Sequence, residues 1–180
     1  LKYGAKVIAF DVLFPEPVKT CGEKSPDDLV AEAITNFQSK EGNSIILSYS
    51  LQKDYGYQDD SLMDNPPLDL LSSTVTVINP VSCVGHARKK IEKHNWPIQK
   101  YLDSEPELGY LNMQEDNDGV FRDYNLYSNV FSEEMEGELF LPSLGLRAFM
   151  SSTDIQGLKF IVSNACEGSL KVNNKELLIK

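Results

Sequence analysis

The chain has 180 residues, a formal net charge of −10 and 41% hydrophobic residues. This length suits one domain with a substantial core. The negative charge argues against a nucleic-acid partner and against unassisted binding to an anionic membrane surface, because both need a basic face. No apolar run approaches the roughly 20 residues of a membrane-spanning helix.

The first predicted element is a strand within Gly4–Pro17, which reads GAKVIAFDVLFPEP. The run is rich in β-branched and aromatic residues, is interrupted by Asp11, and is stopped by Pro15 and Pro17. Such a run is typical of a strand covered on both faces, in a parallel or mixed sheet with helices on either side. Asp11 is expected either to be satisfied by backbone donors or to lie at a pocket mouth.

A helix and two further strands are predicted next. The helix should cover residues 26–40, because Ser25–Asp28 supplies a capping hydroxyl, a proline for the first position and acids near the positive end of the dipole. Ser44–Ser50 is a second apolar strand, so that strand, helix and strand make a right-handed crossover. Thr74–Ile78 alternates β-branched residues and is a third strand.

The middle of the chain predicts an irregular segment followed by a hairpin. Residues 82–106 carry both histidines and the only tryptophan among many charges, and we interpret them as an irregular excursion. Leu108–Met113 and Val120–Ser128 are predicted strands. The Asp118–Gly119 pair between them is a hairpin turn signal.

The last part of the chain predicts a helix and closing strands. The helix should begin at residues 141–143 and bury one face, formed by Leu144, Leu146, Ala148, Phe149 and Met150. Leu158–Val162 and Leu170–Lys180 are predicted closing strands, separated by a turn at Gly168–Ser169. The fold class is therefore α/β: a mixed, largely parallel central sheet with helices packed on it and a β-hairpin in the second half, in a single domain.

Four blocks occur in a fixed order: Gly4–Pro17, Asp27–Ile34, Gly109–Arg122 and Pro142–Ala148. Their order and spacing resemble the type-two CHASE domain, the cyclases/histidine-kinases-associated sensory extracellular domain of bacterial receptors. The resemblance implies that residues 1–180 are a fragment truncated at both ends relative to the family, without its first strand. The edge beside Val7–Phe10 would then invite pairing with another chain.

The resemblance also implies a function. The chain would be a non-catalytic extracytoplasmic sensory domain on the periplasmic side of the bacterial cytoplasmic membrane. It would regulate a cytoplasmic output enzyme, namely an adenylate or guanylate cyclase or a histidine or serine/threonine kinase. The parent protein would be anchored by membrane helices outside this chain, would respond to a small molecule or a protein, and could be a homodimer. The candidate ligand-binding residues are Asp11, Asn112 and Arg122, and no cofactor is expected.

Metal sites are disfavoured by the spacing of the available ligands. Asp116–Gly119 is similar to a calcium loop, but Gln114 and Asn125 stand where an EF-hand needs acids. We therefore interpret this segment as a turn. His86 and His94 lie among lysines that would repel a metal cation.

The remaining chemical candidates are the three cysteines and Asp11. Cys21, Cys83 and Cys166 have no CxxC spacing, so one disulfide and three free thiols both remain open.

An alternative function is a small α/β hydrolase or phosphatase-like enzyme with Asp11 as its nucleophile. A haloacid-type phosphatase needs a second acid two residues further on, and Leu13 stands there.

Overall fold

The fold is given by a computed structural model that describes residues 4–19, 24–52, 76–78, 93–111, 118–119, 126–132, 137–153, 159–162, 168–172 and 175–179. The elements in chain order are β1 (Val7–Phe10), α1 (Pro26–Gln38), β2 (Ser44–Gln52), β3 (Thr76–Ile78), β4 (Lys93–Asn95), α2 (Gln99–Leu102), β5 (Glu107–Tyr110), β6 (Tyr127–Ser132), β7 (Gly137–Pro142), α3 (Leu144–Ser152), β8 (Lys159–Val162), β9 (Gly168–Val172) and β10 (Lys175–Ile179).

The central sheet is built around β2. Strand β1 pairs with β2 in parallel along Ser44–Leu47, and β5 pairs with it in parallel along Ile46–Tyr49. Strand β4 runs antiparallel to the last part of β2, along Ser50–Gln52. Helix α1 connects two parallel neighbours, as a strand–helix–strand crossover requires. The predicted mixed, largely parallel sheet is confirmed.

Helix α1 starts as its sequence predicts. The Ser25 hydroxyl accepts a hydrogen bond from the Asp27 N–H, and the Asp28 carboxylate accepts one from the Ser25 N–H at 3.2 Å. The two side chains therefore satisfy N–H groups that the first helical turn leaves without intrahelical partners. The helix ends at Gln38, two residues before the predicted end.

The antiparallel strand pairing differs from the prediction. Strand β5 pairs with β2, whereas β6 pairs with β7 in a hairpin, so the predicted hairpin strands 108–113 and 120–128 are not partners among the described residues. Asp118 and Gly119 do lie in a turn, in which Gly119 has a φ of +77°. A second sheet has the order β10-β9-β8-β3 and contains β3, which confirms the predicted third strand. Gly168–Ser169 belongs to β9 and pairs with β8, so the turn predicted there is wrong.

The main core lies on the side of the central sheet that faces α1 and α2. It contains Ile45, Leu47, Tyr49 and Leu51 of β2, Leu108 and Tyr110 of β5, Ile34 of α1, Tyr101 and Leu102 of α2, Leu141 and Trp96. Residues 93–106 were predicted to be irregular, and this is wrong, because they form β4 and α2 and contribute buried aromatic side chains. Residues 82–92 lie outside the described part.

Strand β1 is less covered than its apolar run predicts. Val7 and Ile8 are half-buried, but Ala9 is exposed and Phe10 keeps 37% of its surface exposed. Val12, just after the strand, is 52% exposed. The expected burial on both faces is therefore wrong, because Ala9 and Phe10 are both exposed and consecutive side chains of a strand point to opposite faces.

Helix α3 packs against the sheet directly over a glycine. Ser143 caps the helix, with its hydroxyl accepting from the Leu146 N–H. A Cβ added at Gly109 in β5 would lie 2.6 Å from the Leu144 Cα, so the strand and the helix start approach each other as closely as a glycine allows. Leu144 and Leu146 are buried as predicted, whereas Phe149 is 44% exposed and was wrongly placed in the buried face.

We expect Gly109→Ala to lower the free energy of unfolding by about 1–3 kcal/mol, because the new methyl group collides with helix backbone that cannot rotate away. Thermal and urea unfolding measure this loss. Leu144→Ala is the informative second change, since it leaves the colliding backbone in place. Relief of the loss in the double variant would contradict the proposed contact.

Candidate functional site

Asp11 lies at the carboxyl end of β1, the edge of the sheet at which the sequence places a ligand. The side chain is exposed, and it forms no hydrogen bond or ion pair within the described part of the chain. Within the residues that the structure describes, neither a backbone donor nor a basic side chain pairs with it. Its carboxylate is open to solvent and to any ligand that reaches this edge.

The chain segments around this edge are fixed by buried polar contacts. The Ser48 hydroxyl is fully buried and donates to the Val12 carbonyl at 2.8 Å, which fixes the path of the chain where it leaves β1. The Asn95 amide donates to the Ser50 hydroxyl at 3.2 Å, between β4 and β2. The backbone next to Asp11 is thus held against β2, and the carboxyl end of β2 is in turn paired with β4.

A buried tyrosine lies in the carboxyl half of β2. Tyr49 has no exposed surface, and its ring lies 4.7 Å from the ring of Trp96 at an angle of 39°. The Tyr49 hydroxyl has no hydrogen-bond partner among the described residues. Burial, and then the neighbouring Tyr110, raises the pKa of Tyr49 well above its ordinary value. The hydroxyl is therefore neutral, and no hydrogen bond from the described part of the chain compensates its desolvation.

A buried carboxylate holds the junction between α1, α2 and the segment after β1. Asp27 is 3% exposed and accepts hydrogen bonds from the Val18 N–H and from the Tyr101 hydroxyl, each at 2.8 Å. The neighbouring Asp28 pairs with Lys100 at 2.6 Å. We call these residues (Val18, Asp27, Asp28, Lys100 and Tyr101) the α1–α2 junction.

The ionisation of this junction follows from its contacts. Burial, then the hydrogen bond to Asp27 and its charge, raises the pKa of Tyr101 to about 12. The hydrogen bond from Lys100 lowers the pKa of Asp28, although both side chains are largely exposed. The Tyr101 hydroxyl therefore stays neutral and donates to Asp27 through the physiological pH range, while the exposed pair contributes little to stability.

A single amide joins the other end of α1 to the same neighbours. Gln38 donates to the Ser104 carbonyl at 2.9 Å and accepts from the Ile45 N–H at 3.2 Å. It also donates to the carbonyl of Glu105, a non-glycine residue with a φ of +53°. Both ends of α1 are thus tied to the 98–105 segment by hydrogen bonds as well as by apolar packing.

The opposite, amino edge of the sheet carries a compact ion pair. Glu107 of β5 accepts from the Arg147 Nε at 2.6 Å, from the Ser44 hydroxyl at 2.7 Å and from the Ser151 hydroxyl. The Arg147 side chain is only 15% exposed, so the pair lies in a partly desolvated setting. The contacts join α3 to β2 and β5, and this role is structural.

The structure describes only one of the three predicted ligand residues. Asp11 is exposed at the sheet edge, whereas Asn112 and Arg122 lie outside the described residues. His86 and the three cysteines also lie outside them. The buried acid that sequence reasoning missed is Asp27, which was assigned only to the helix dipole. The sequence does carry one signal for this role of Asp27. Two acids follow the capping serine, and Asp28 alone completes the capping box, so the Asp27 carboxylate is left for another contact.

The described residues contain no group of three histidine, cysteine or acidic side chains that could hold a metal ion. Within the same part of the chain, no helix has the length and apolar character needed to cross a membrane.

The family model described as the CHASE2 domain matches residues 1–179 of the chain. Neither a curated protein nor a solved structure matches the chain. CHASE2 domains are sensory, non-catalytic extracellular domains of signalling receptors. The match confirms the resemblance carried by the four sequence blocks.

Replacing Tyr101 by phenylalanine removes one donor from the buried Asp27 carboxylate. We expect the free energy of unfolding at neutral pH to fall by about 1–3 kcal/mol. The matched control is Tyr49→Phe, which removes a buried hydroxyl that has no hydrogen-bond partner in the described ranges and should cause no such loss. An equal loss in the two variants would contradict the role given to Tyr101.

The same variant should change the alkaline stability profile. The folded-state pKa of Tyr101, about 12, lies above its ordinary value of 10.0. The hydrogen bond of Tyr101 therefore contributes its full stabilisation below pH 10.0, the ordinary pKa. The wild type loses this stabilisation as the pH rises through the folded-state pKa of about 12. Tyr101→Phe should show a smaller fall over that range in urea unfolding measured at a series of pH values.

Proposed function

The chain belongs to the CHASE2 domain family, and we propose that it is the extracytoplasmic sensory domain of a bacterial membrane receptor whose output enzyme lies in the cytoplasm. The observation that supports this proposal is a family match over nearly the whole chain, from residue 1 to residue 179. The proposed output is an adenylate or guanylate cyclase or a histidine or serine/threonine kinase. The proposed anchor is a set of membrane helices outside this chain.

The proposed mechanism is a shift between two arrangements of the domain. A signal changes the output only to the extent that it binds one arrangement better than the other. The α1–α2 junction makes a suitable rigid unit, because buried hydrogen bonds join α1, α2 and the segment after β1. Binding at the carboxyl edge of β1 would therefore move this unit as one body.

The proposed ligand-binding residues are Asp11, Asn112 and Arg122. Asp11 supports this assignment best, because the fold makes no use of its carboxylate among the described residues and leaves it exposed at a strand end. An acid, an amide and a guanidinium together can bind a small polar molecule or the polar surface of a protein. The signal is proposed to be one of these, and a nucleic acid is not expected at a net charge of −10.

The location can be tested with a reporter fused after Lys180 in the chain's own gene. Alkaline phosphatase folds only where its disulfides form, so the proposal expects an active phosphatase at this position. β-Galactosidase at the same position is the matched control and should be inactive. The reverse result would place the chain in the cytoplasm and overturn the receptor proposal.

The ligand role of Asp11 can be tested with Asp11→Asn in the full receptor, using the small-molecule fraction of the growth medium as the probe. We expect the concentration needed for half-maximal output to rise by about 10- to 100-fold, as for loss of a hydrogen bond to a charged group. The unfolding midpoint should not change, because Asp11 is exposed. Glu16→Gln, another exposed acid of the same segment, is the control. An unchanged response in Asp11→Asn would contradict the ligand role.

A further inference from the structure

The segment that follows β1 is held at three points by three different elements. One hydrogen bond comes from β2, one from the start of α2 and one from the first turn of α1. Each donor–acceptor distance is 2.8 Å, and in chain order the pairs are the Ser48 hydroxyl with the Val12 carbonyl, the Ile98 N–H with the Phe14 carbonyl, and the Val18 N–H with the Asp27 carboxylate. We call residues 12–18 the strap and these three bonds its tethers. The strap joins the central sheet to the starts of both helices.

The strap buries little of its own surface. Leu13 and Phe14 are half-buried, and the other strap side chains are exposed. By contrast, Ile46 and Leu47 of β2 have almost no exposed surface and pair with both β1 and β5. Detaching the strap therefore exposes far less apolar surface than opening the central sheet, and it costs less free energy.

Two prolines make the strap stiff between its second and third tethers. Pro15 and Pro17 fix the φ angle at two of the three positions that separate Phe14 from Val18. Because so few backbone torsions can rotate in this stretch, a displacement of one end moves the other end as well. The first tether, at Val12, lies only two residues before the second, so all three tethers are coupled through the backbone.

We propose that the strap opens as one unit while the central sheet stays folded. In the open form the three tethers are broken and Phe14 leaves the main core, whereas β1 keeps its pairing with β2. The strap begins directly after Asp11, so a ligand at Asp11 shifts the balance of the two forms by its difference in affinity for them. The opening itself needs no ligand, and its failure would leave the proposed function standing.

Native-state amide hydrogen exchange of the whole 180-residue chain, followed by NMR at several low urea concentrations, measures this opening. We expect one common opening constant and one urea dependence for the N–H groups of Val18 and Ile98. The constant should exceed that of the Ile46 N–H about 100-fold or more. The Asp103 N–H, which donates to the Gln99 carbonyl at 2.8 Å, reports unwinding of α2. Two different constants, an Ile98 that follows Asp103 instead of Val18, or constants equal to that of Ile46 would overturn the proposal.

A variant without the first tether tests whether the three act together. Ser48→Ala removes the donor of that tether, whereas the N–H groups of Val18 and Ile98 belong to the other two. We expect both opening constants to rise by the same factor, about five- to tenfold, as for loss of one hydrogen bond. Ser50→Ala is the matched control and should change neither constant, because Ser50 lies on the same strand and its hydroxyl accepts from Asn95. Unchanged constants in Ser48→Ala, a change in only one of them, or an equal rise in Ser50→Ala would contradict a strap that opens as one unit.

Discussion

One buried carboxylate, that of Asp27, holds together the parts of the structure that surround the main core. Asp27 belongs to the first turn of α1, and its two oxygens reach α2 through Tyr101 and the segment after β1 through Val18. A buried carboxylate is costly unless charge-assisted hydrogen bonds satisfy it, and here it has such bonds on both oxygens. The position of α2 over the sheet, and with it the burial of Tyr101 and Leu102, therefore depends on this residue.

The regular elements could be predicted wherever one local signal dominated. The apolar run of β2 and the serine–proline–acid start of α1 each carry their structure in consecutive residues, and both were predicted. Strand β4 and helix α2 could not be predicted in this way. Each is three or four residues long and lies in a charged segment, and their stability comes from pairing with β2 and from the hydrogen bond of Tyr101 to Asp27.

The candidate site shows the same limit more sharply. From the sequence, Asp11 is the unusual acid, because it interrupts an apolar run, whereas Asp27 is an ordinary acid at a helix start. The structure reverses their burial, because the donors that can satisfy a carboxylate come from Val18 and Tyr101, distant in sequence from Asp27. Burial of an acid depends on such tertiary donors, and no local pattern reports them.

The separation of the two acids has a consequence for sensing. Asp27 is fully used by the fold, so a ligand could not engage it without breaking the α1–α2 junction. Asp11 takes no part in the hydrogen bonds of the described residues, and the backbone that presents it is held by Ser48 through the Val12 carbonyl. A ligand at Asp11, the proposed point of contact, would thus act first on the hydrogen bond between Ser48 and Val12, because this bond lies between Asp11 and Val18. A ligand that broke this bond would release the segment up to Val18, and the hydrogen bonds of Asp27 would then carry the displacement to both helices.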